Sequence, residues 1–219
     1  MCGGRILTSN IEVFKQNSIR ITSALGRIYV DPFGMEETPK DAAFLFITHE
    51  HYDHFSPKDV EKVACENTVM IVPAKMEKKA RELAGIVKEI ITVKPCEKRE
   101  VEGLSFETVP AYNLLKPFHP KSAEWVGYLF EIDGKRIYVA GDTDATKEAK
   151  SVTCDVALIP IGGTYTMDAK KAAELVNEMK PAVVIPVHYG EVVGKPSDGE
   201  EFAALVKDPV KVDFKMKFK

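Results

Sequence analysis

The sequence predicts a mixed α/β (α+β) fold in which two sheets pack together with helices outside. Three observations predict it. The first third is a run of short strand-like segments separated by turn residues. The second half alternates apolar strands with amphipathic helical segments. Apolar runs repeatedly end on a histidine or an aspartate, which puts polar chemistry at strand carboxyl ends.

Taken in order, Ile11 to Phe14, Ser18 to Thr22 and Arg27 to Val30 read as strands, with Gly26 marking a turn. Phe44 to Ile47 is continuously apolar and reads as a buried strand. Ser56 and Pro57 then start a helix that runs to about Cys65. The serine oxygen can accept from an open backbone N–H, and proline has no N–H to leave unpaired. A strand over Thr68 to Val72 follows, then a helix from about Ala74 to Leu83 that ends before Gly85. Val101-Glu102-Gly103-Leu104 and Ile132-Asp133-Gly134-Lys135 predict two-residue hairpin turns, whose central residues take positive φ. Val156 to Ile161 is an apolar strand. The next helix, Met167 to about Met179, aligns Ala169, Ala172, Ala173, Val176 and Met179 on one face. Thr166 is its expected N-cap, Asp168 suits the positive end of its dipole, and Lys180-Pro181 stops it. A helix over Gly199 to Val206 and a strand over Val210 to Phe214 complete the chain.

At 219 residues without a Ser/Gly linker or low-complexity stretch, the expectation is one domain over residues 1–219. The formal net charge of -3 offers no electrostatic basis for nucleic-acid binding. The basic tail, Lys211 to Lys219, alternates with Val, Phe and Met and reads as an edge strand. Residues Met1 to Arg5 carry no apolar signal core, and no apolar run approaches membrane-spanning length. A cytoplasmic protein with no membrane partner is expected. Cys2, Cys65, Cys96 and Cys154 form no Cys-x-x-Cys pair, so they read as buried or incidental thiols.

The chemistry concentrates in Thr48-His49-Glu50-His51-Tyr52-Asp53-His54, where three of the five histidines fall within six residues. Imidazole and carboxylate are the side chains that zinc and similar metals take. In an extended strand-to-loop turn, His49, His51 and Asp53 would point to one centre and His54 to a second. His119 lies in a long loop, Asp142 follows the run Ile137 to Ala140, and His188 follows Ala182 to Ile185. Taken alone, Asp142 would be an ordinary turn residue, and a lone His119 or His188 a surface or hydrogen-bonded one. The placement of Asp142 and His188 after buried strands, repeating that of His49 to His54, argues for ligands.

That order of motifs, His-x-His-x-Asp-His, a later histidine, Gly141-Asp142-Thr143-Asp144 and Val187-His188-Tyr189-Gly190, resembles the metallo-β-lactamase superfamily. More narrowly it resembles the branch of ascorbate-phosphate lactonases and N-acyl-phosphatidylethanolamine phospholipases D. The cues are Tyr29-Val30-Asp31-Pro32, Val109-Pro110-Ala111-Tyr112 and Gly162-Gly163-Thr164-Tyr165-Thr166-Met167. The resemblance implies a four-layer αββα sandwich, the metallo-β-lactamase fold. It assigns His49, His51 and His119 to a first metal and Asp53, His54 and His188 to a second, with Asp142 bridging. Asp53 would be the catalytic residue that also orients the nucleophile, and Asp31 would fix a ligand histidine from behind. Relatives often carry the third-motif histidine directly after Val-Pro-Ala, where this chain has Asn113. His119 takes the role here, with Asn113 as the alternative ligand.

The cofactors implied are two divalent ions, zinc in the first place, with manganese or iron also accepted by these ligands. The activity implied is a hydrolase using a metal-bridging hydroxide on a small ester, lactone or phosphodiester. Lys116 and Lys121 flank His119 and either attract an anionic small-molecule substrate or are solvated loop charges. Tyr165 and Tyr189 either line the pocket or are half-buried amphipathic residues, and Gly162-Gly163 serves the substrate or only a tight connection. Two other activities fit the same scaffold: an iron-dependent oxidoreductase for persulfide or oxygen chemistry, and a nucleic-acid-processing nuclease. The complete second ligand set speaks against the first, and the acidic balance against the second.

Overall fold

The computed structural model describes residues 7–218. The readings of Met1 to Arg5, of Cys2 and of Lys219 lie outside the described residues. Six strands, β1 (Ile11–Val13), β2 (Ile19–Ser23), β3 (Gly26–Val30), β4 (Ala42–Phe46), β5 (Val69–Pro73) and β6 (Glu89–Val93), form one sheet in chain order. The pairings β1–β2 and β2–β3 are antiparallel, and those from β3 to β6 are parallel. The second sheet repeats the plan with β7 (Lys98–Val101), β8 (Leu104–Pro110), β9 (Val126–Ile132), β10 (Lys135–Val139), β11 (Val156–Pro160), β12 (Val183–Val187) and β13 (Lys211–Val212). It too begins antiparallel and becomes parallel, at β10.

Parallel neighbours need crossovers; a loop over residues 31–41 joins β3 to β4, and helices supply the others. α1 (Pro57–Val63) links β4 to β5, and a helical segment over residues 74–83 containing α2 (Glu77–Ala80) links β5 to β6. α3 (Lys147–Lys150), α4 (Ala169–Met179) and α5 (Ser197–Leu205) do the same for β10 to β13. Two apolar clusters define the layers. The larger joins the facing sides of both sheets with α4, and holds Phe46 edge-on to Phe106, Tyr128 and Phe130 at ring-centroid distances of 4.8–5.0 Å. The smaller places Tyr29, Leu45, Ile47 and Met70 against Val60 and Val63 of α1 and Met76 and Ala80 of the 74–83 segment. The result is the four-layer arrangement, helices outside and two sheets within.

Both hairpins form as expected: Glu102 and Gly103 have φ of 48° and 84°, and Asp133 and Gly134 have φ of 51° and 71°. Ser56 caps α1 by accepting from the Asp59 N–H. Four expectations are corrected. The N-cap of α4 is Asp168, whose carboxylate accepts from Lys171 N at 2.8 Å, because the helix begins at Ala169 and Thr166 lies two residues too early. The 74–83 segment is α-helical only over Glu77–Ala80 and tightens to 3₁₀ turns on both sides. Only Met76, Ala80 and Leu83 anchor it, too thin an apolar line to hold a regular helix. The terminal strand shortens to Lys211–Val212. Finally, β6 and α3 are additional elements: β6 is a half-buried edge strand and α3 a single turn, so neither carries a long periodic signal.

Candidate metal centre

Every singled-out site residue follows the carboxyl end of a strand. Asp31 follows β3, His49 to His54 follow β4, Asp142 follows β10 and His188 follows β12, while His119 lies in the loop after β8. The two sheets are tied together at that end. Tyr128 Oη donates to the Ile47 carbonyl at 2.7 Å and Val126 N donates to the Thr48 carbonyl at 3.3 Å.

His49, His51 and His119 converge on one point, each offering a ring nitrogen within 4.8 Å of the others. His49 Nε2 and His51 Nδ1 are 3.1 Å apart. The far sides of two rings are pinned: His49 Nδ1 lies 3.0 Å from Thr48 Oγ1, and His119 Nδ1 lies 3.0 Å from Asn113 Oδ1. These contacts place the ring protons outward and leave Nε2 of His49 and His119 facing inward. Asn113 is therefore an orienting residue. Its Oδ1 also accepts from His119 N at 3.1 Å, and its Nδ2 donates to the Tyr165 carbonyl at 2.9 Å.

Asp53, His54 and His188 form the second convergence. His54 Nε2 and His188 Nε2 are 3.1 Å apart, and Asp53 Oδ2 is 3.3 Å from His188 Nε2. The simple alternation argument, which grouped Asp53 with His49 and His51, fails here. Residues 50–54 coil into a turn, with His54 N and Phe55 N both donating to the His51 carbonyl, so side chains two apart no longer point alike. Behind His54, Asp31 Oδ2 is 2.8 Å from Nδ1 and accepts from Thr48 Oγ1 at 2.6 Å and Asn17 Nδ2 at 2.7 Å. Asp142 lies between the clusters: Oδ2 is 3.2 Å from His119 Nε2, and Oδ1 is 3.3 Å from His54 Nε2 and 3.4 Å from His188 Nε2.

The electrostatics call for cations. His49, fully enclosed, is held well below the usual imidazole range by burial and by the neighbouring His54. Burial also disfavours charge on His54, yet Asp142 and Asp31 outweigh it and lift its pKa to about 9. Asp53 runs the other way. Burial would raise it, but His188 and His54 hold it at about 2. Asp142 is pulled well below its ordinary value against the same burial penalty, chiefly by His188 and His54. His119 Nε2 and Asp142 Oδ1 are buried without a hydrogen-bond partner. Inward-facing imidazole nitrogens, ionised carboxylates and two orphaned buried atoms fit bound metal.

The family model of the beta-lactamase superfamily domain matches residues 10–188, the interval from the first strand to the last histidine. The chain belongs to this superfamily. A UPF0173 metal-dependent hydrolase of Pyrococcus abyssi is 34% identical over 200 residues, covering 85% of this chain and 87% of its own. A candidate metal-dependent hydrolase of Parabacteroides distasonis, of known structure, is 28% identical with a TM-score of 0.80, covering 94% and 93% of the two chains. A metallo hydrolase of Ignicoccus hospitalis shares the fold at 22% identity, with a TM-score of 0.72 over 95% and 98% of the chains.

On this metallo-β-lactamase fold, Gln16 and Trp125 are site features that had no readable sequence signal. Gln16, in the turn after β1, is buried at φ 50° with Nε2 3.4 Å from Asp53 Oδ2 and from the His188 ring. Its carbonyl accepts from His188 N at 3.0 Å, and His188 itself sits at φ 58°. Both are left-handed conformations that side chains beyond glycine rarely adopt. The single tryptophan, Trp125, packs its ring 4.9 Å from both His49 and His51. Gly162 has a definite task, since a Cβ there would stand 2.3 Å from the His188 carbonyl oxygen. Tyr165 does reach the cleft, whereas Tyr189 is buried against Phe218. Lys116 donates to the carbonyls of Gly163 and Thr166 and pairs with Asp144, and Lys121 pairs with Glu148 at 3.0 Å. Among the described residues, no helix is long and apolar enough to cross a membrane.

Proposed function

We propose that the protein is a metal-dependent hydrolase holding two divalent ions, zinc in the first place, and cleaving a small ester, lactone or phosphodiester. The carrying observation is the Asp142 carboxylate, which turns one oxygen to each of two three-ligand clusters. The relatives named as metal-dependent hydrolases support the same reading. The motif cues around Asp31, Tyr112 and Thr164 support the lactonase and phospholipase-D-like branch in particular.

When bound, such a metal pair polarises a substrate oxygen and makes water acidic enough to attack near neutral pH. The protein's own residues do the positioning. Asp53 and Asp142 reach the floor of the open cleft beside His51, where attacking water and scissile bond must meet. Asp53, ionised throughout the physiological range, accepts a hydrogen bond from the attacking water and orients its lone pair. Asp31 and Asn113 keep the rings of His54 and His119 turned inward, and Trp125 shields the first cluster from bulk water.

Elemental analysis of the purified protein, joined to a screen of lactones, phosphodiesters and thioesters, tests this. Two ions per chain and a chelator-sensitive turnover are expected, with Asp142→Asn and Asp53→Ala each losing at least about 10²-fold in kcat. One redox-active iron per chain with oxygen uptake, or full turnover in Asp53→Ala, would refute the mechanism.

A further inference from the structure

Building on the hydrolase reading, we infer that the substrate is an uncharged ester or lactone bearing an apolar, preferably aromatic, group. Compounds with a phosphate or carboxylate away from the scissile bond are disfavoured. The cleft above the ligands encloses about 200 Å³. Its floor is His51, Asp53 and Asp142, and its walls are Tyr52, Phe118, Tyr165 and Val192. All four wall residues are open to solvent, Tyr52 by 66% and Phe118 by 41%. Phe118 and Tyr165 meet edge to face at 4.8 Å and form one continuous surface, and Phe33 props Tyr52 from behind at 6.0 Å. Leu114 and Leu115, on the same loop as Phe118, add further exposed apolar area. Large apolar side chains gathered on a rim around buried charge mark a binding surface for an apolar group.

Charge points the same way. Among the described residues, no Lys or Arg lines the cleft. The nearby ammonium groups are committed elsewhere: Lys116 to two backbone carbonyls and Asp144, Lys121 to Glu148 and the Tyr112 hydroxyl, Lys79 to Glu50. A remote anionic group entering here would be stripped of water against aromatic rings, with no cationic side chain among the lining residues to pair with it. A neutral substituent meets no such penalty, and its burial against the rings favours binding. All the site's positive demand lies on the floor, where it serves the reacting oxygen.

The test is a matched series on the metal-loaded enzyme: aryl esters and aryl-substituted lactones against the same compounds carrying a ring carboxylate or phosphate. The neutral members should show kcat/KM at least about tenfold higher. Phe118→Ala and Tyr165→Ala should each raise KM for the neutral aryl ester more than they lower kcat, and narrow its advantage over a methyl ester. Equal or faster turnover of the anionic members, or an unchanged aryl preference in both variants, would overturn the inference. Binding of a non-hydrolysable aryl ketone and its carboxylated counterpart, followed through Trp125 fluorescence, separates the two readings. Tighter binding of the neutral ketone by a protein that hydrolyses nothing refutes only the hydrolase assignment. Equal or tighter binding of the carboxylate refutes the substrate class.

Discussion

Asn113 shows how a side chain outside the ligand set can decide a metal site. Its amide oxygen takes both the ring proton and the backbone N–H of His119, so one residue fixes the tautomer and the backbone of the loop that carries a ligand. Asp31 does the same for His54 with four short contacts on its two oxygens. Outer partners of this kind are worth about 10–100-fold in metal affinity. Asn113→Ala should therefore weaken retention of one ion by that factor while the other holds, read by competition with a chelator of known affinity. Asn113→Asp, which can still accept from Nδ1, should restore most of it. Loss of both ions in step would mean that Asn113 supports the fold rather than the first cluster. Gln16 acts on the opposite side, through its amide near Asp53 and the carbonyl that fixes His188 N.

At the scale of elements, the site is set by turns at strand ends. The β11-to-α4 connection passes directly over the β12-to-α5 connection, and Gly162 is where the two backbones touch. A methyl group at that position has nowhere to go, because the blocking atom is the backbone oxygen of a ligand residue. Gly162→Ala should cost about 1–3 kcal/mol by overpacking. It should also displace His188, so thermal denaturation and metal content should fall together. A variant with wild-type metal content would show that the loop yields without moving the ligand. Gly141 is constrained in a different way, by its φ of 64°, which lets the chain leave β10 and turn Asp142 back toward the seam between the sheets.

For the whole molecule, stability, pH and metal are one linked problem. In the metal-free protein His54 has its pKa raised from 6.5 to about 9, so its contribution is complete below 6.5 and is lost as pH rises through 9. Asp53 is lowered from 3.8 to about 2, so its contribution is present above 3.8 and is lost as pH falls through 2. Metal binding requires His54 to give up its proton. The gain in Tm on loading with zinc should therefore widen from pH 6 to pH 9, and calorimetry in buffers of different ionisation enthalpy should detect proton release at pH 7. A constant gain across that range would mean that His54 is already neutral before metal arrives. Metal bound at these clusters would also couple the two sheets, since each cluster draws its residues from both.

The residues that gather at the candidate site were legible in the sequence because chemistry is written in residue types. Histidines and aspartates placed just after apolar strands announce a metal site before any geometry is known, and the hairpins at Glu102-Gly103 and Asp133-Gly134 announce themselves by backbone tolerance. Partnership was not legible from spacing alone: strand alternation grouped Asp53 with His49 and His51, and only the resemblance to the superfamily placed it with His54 and His188. Which cluster Asp53 joins depends on a turn over residues 50–54, and Asn113, Gln16 and Trp125 matter only through neighbours far away in the chain. The cap of α4 moved from Thr166 to Asp168, and the lysines beside His119 turned out to be tied to carbonyls and carboxylates. Local sequence fixes periodicity, turn type and donor identity because those are properties of one residue and its few neighbours. Orientation and charge state come from packing two sheets face to face, where burial strengthens each contact and residues more than a hundred positions apart share one carboxylate.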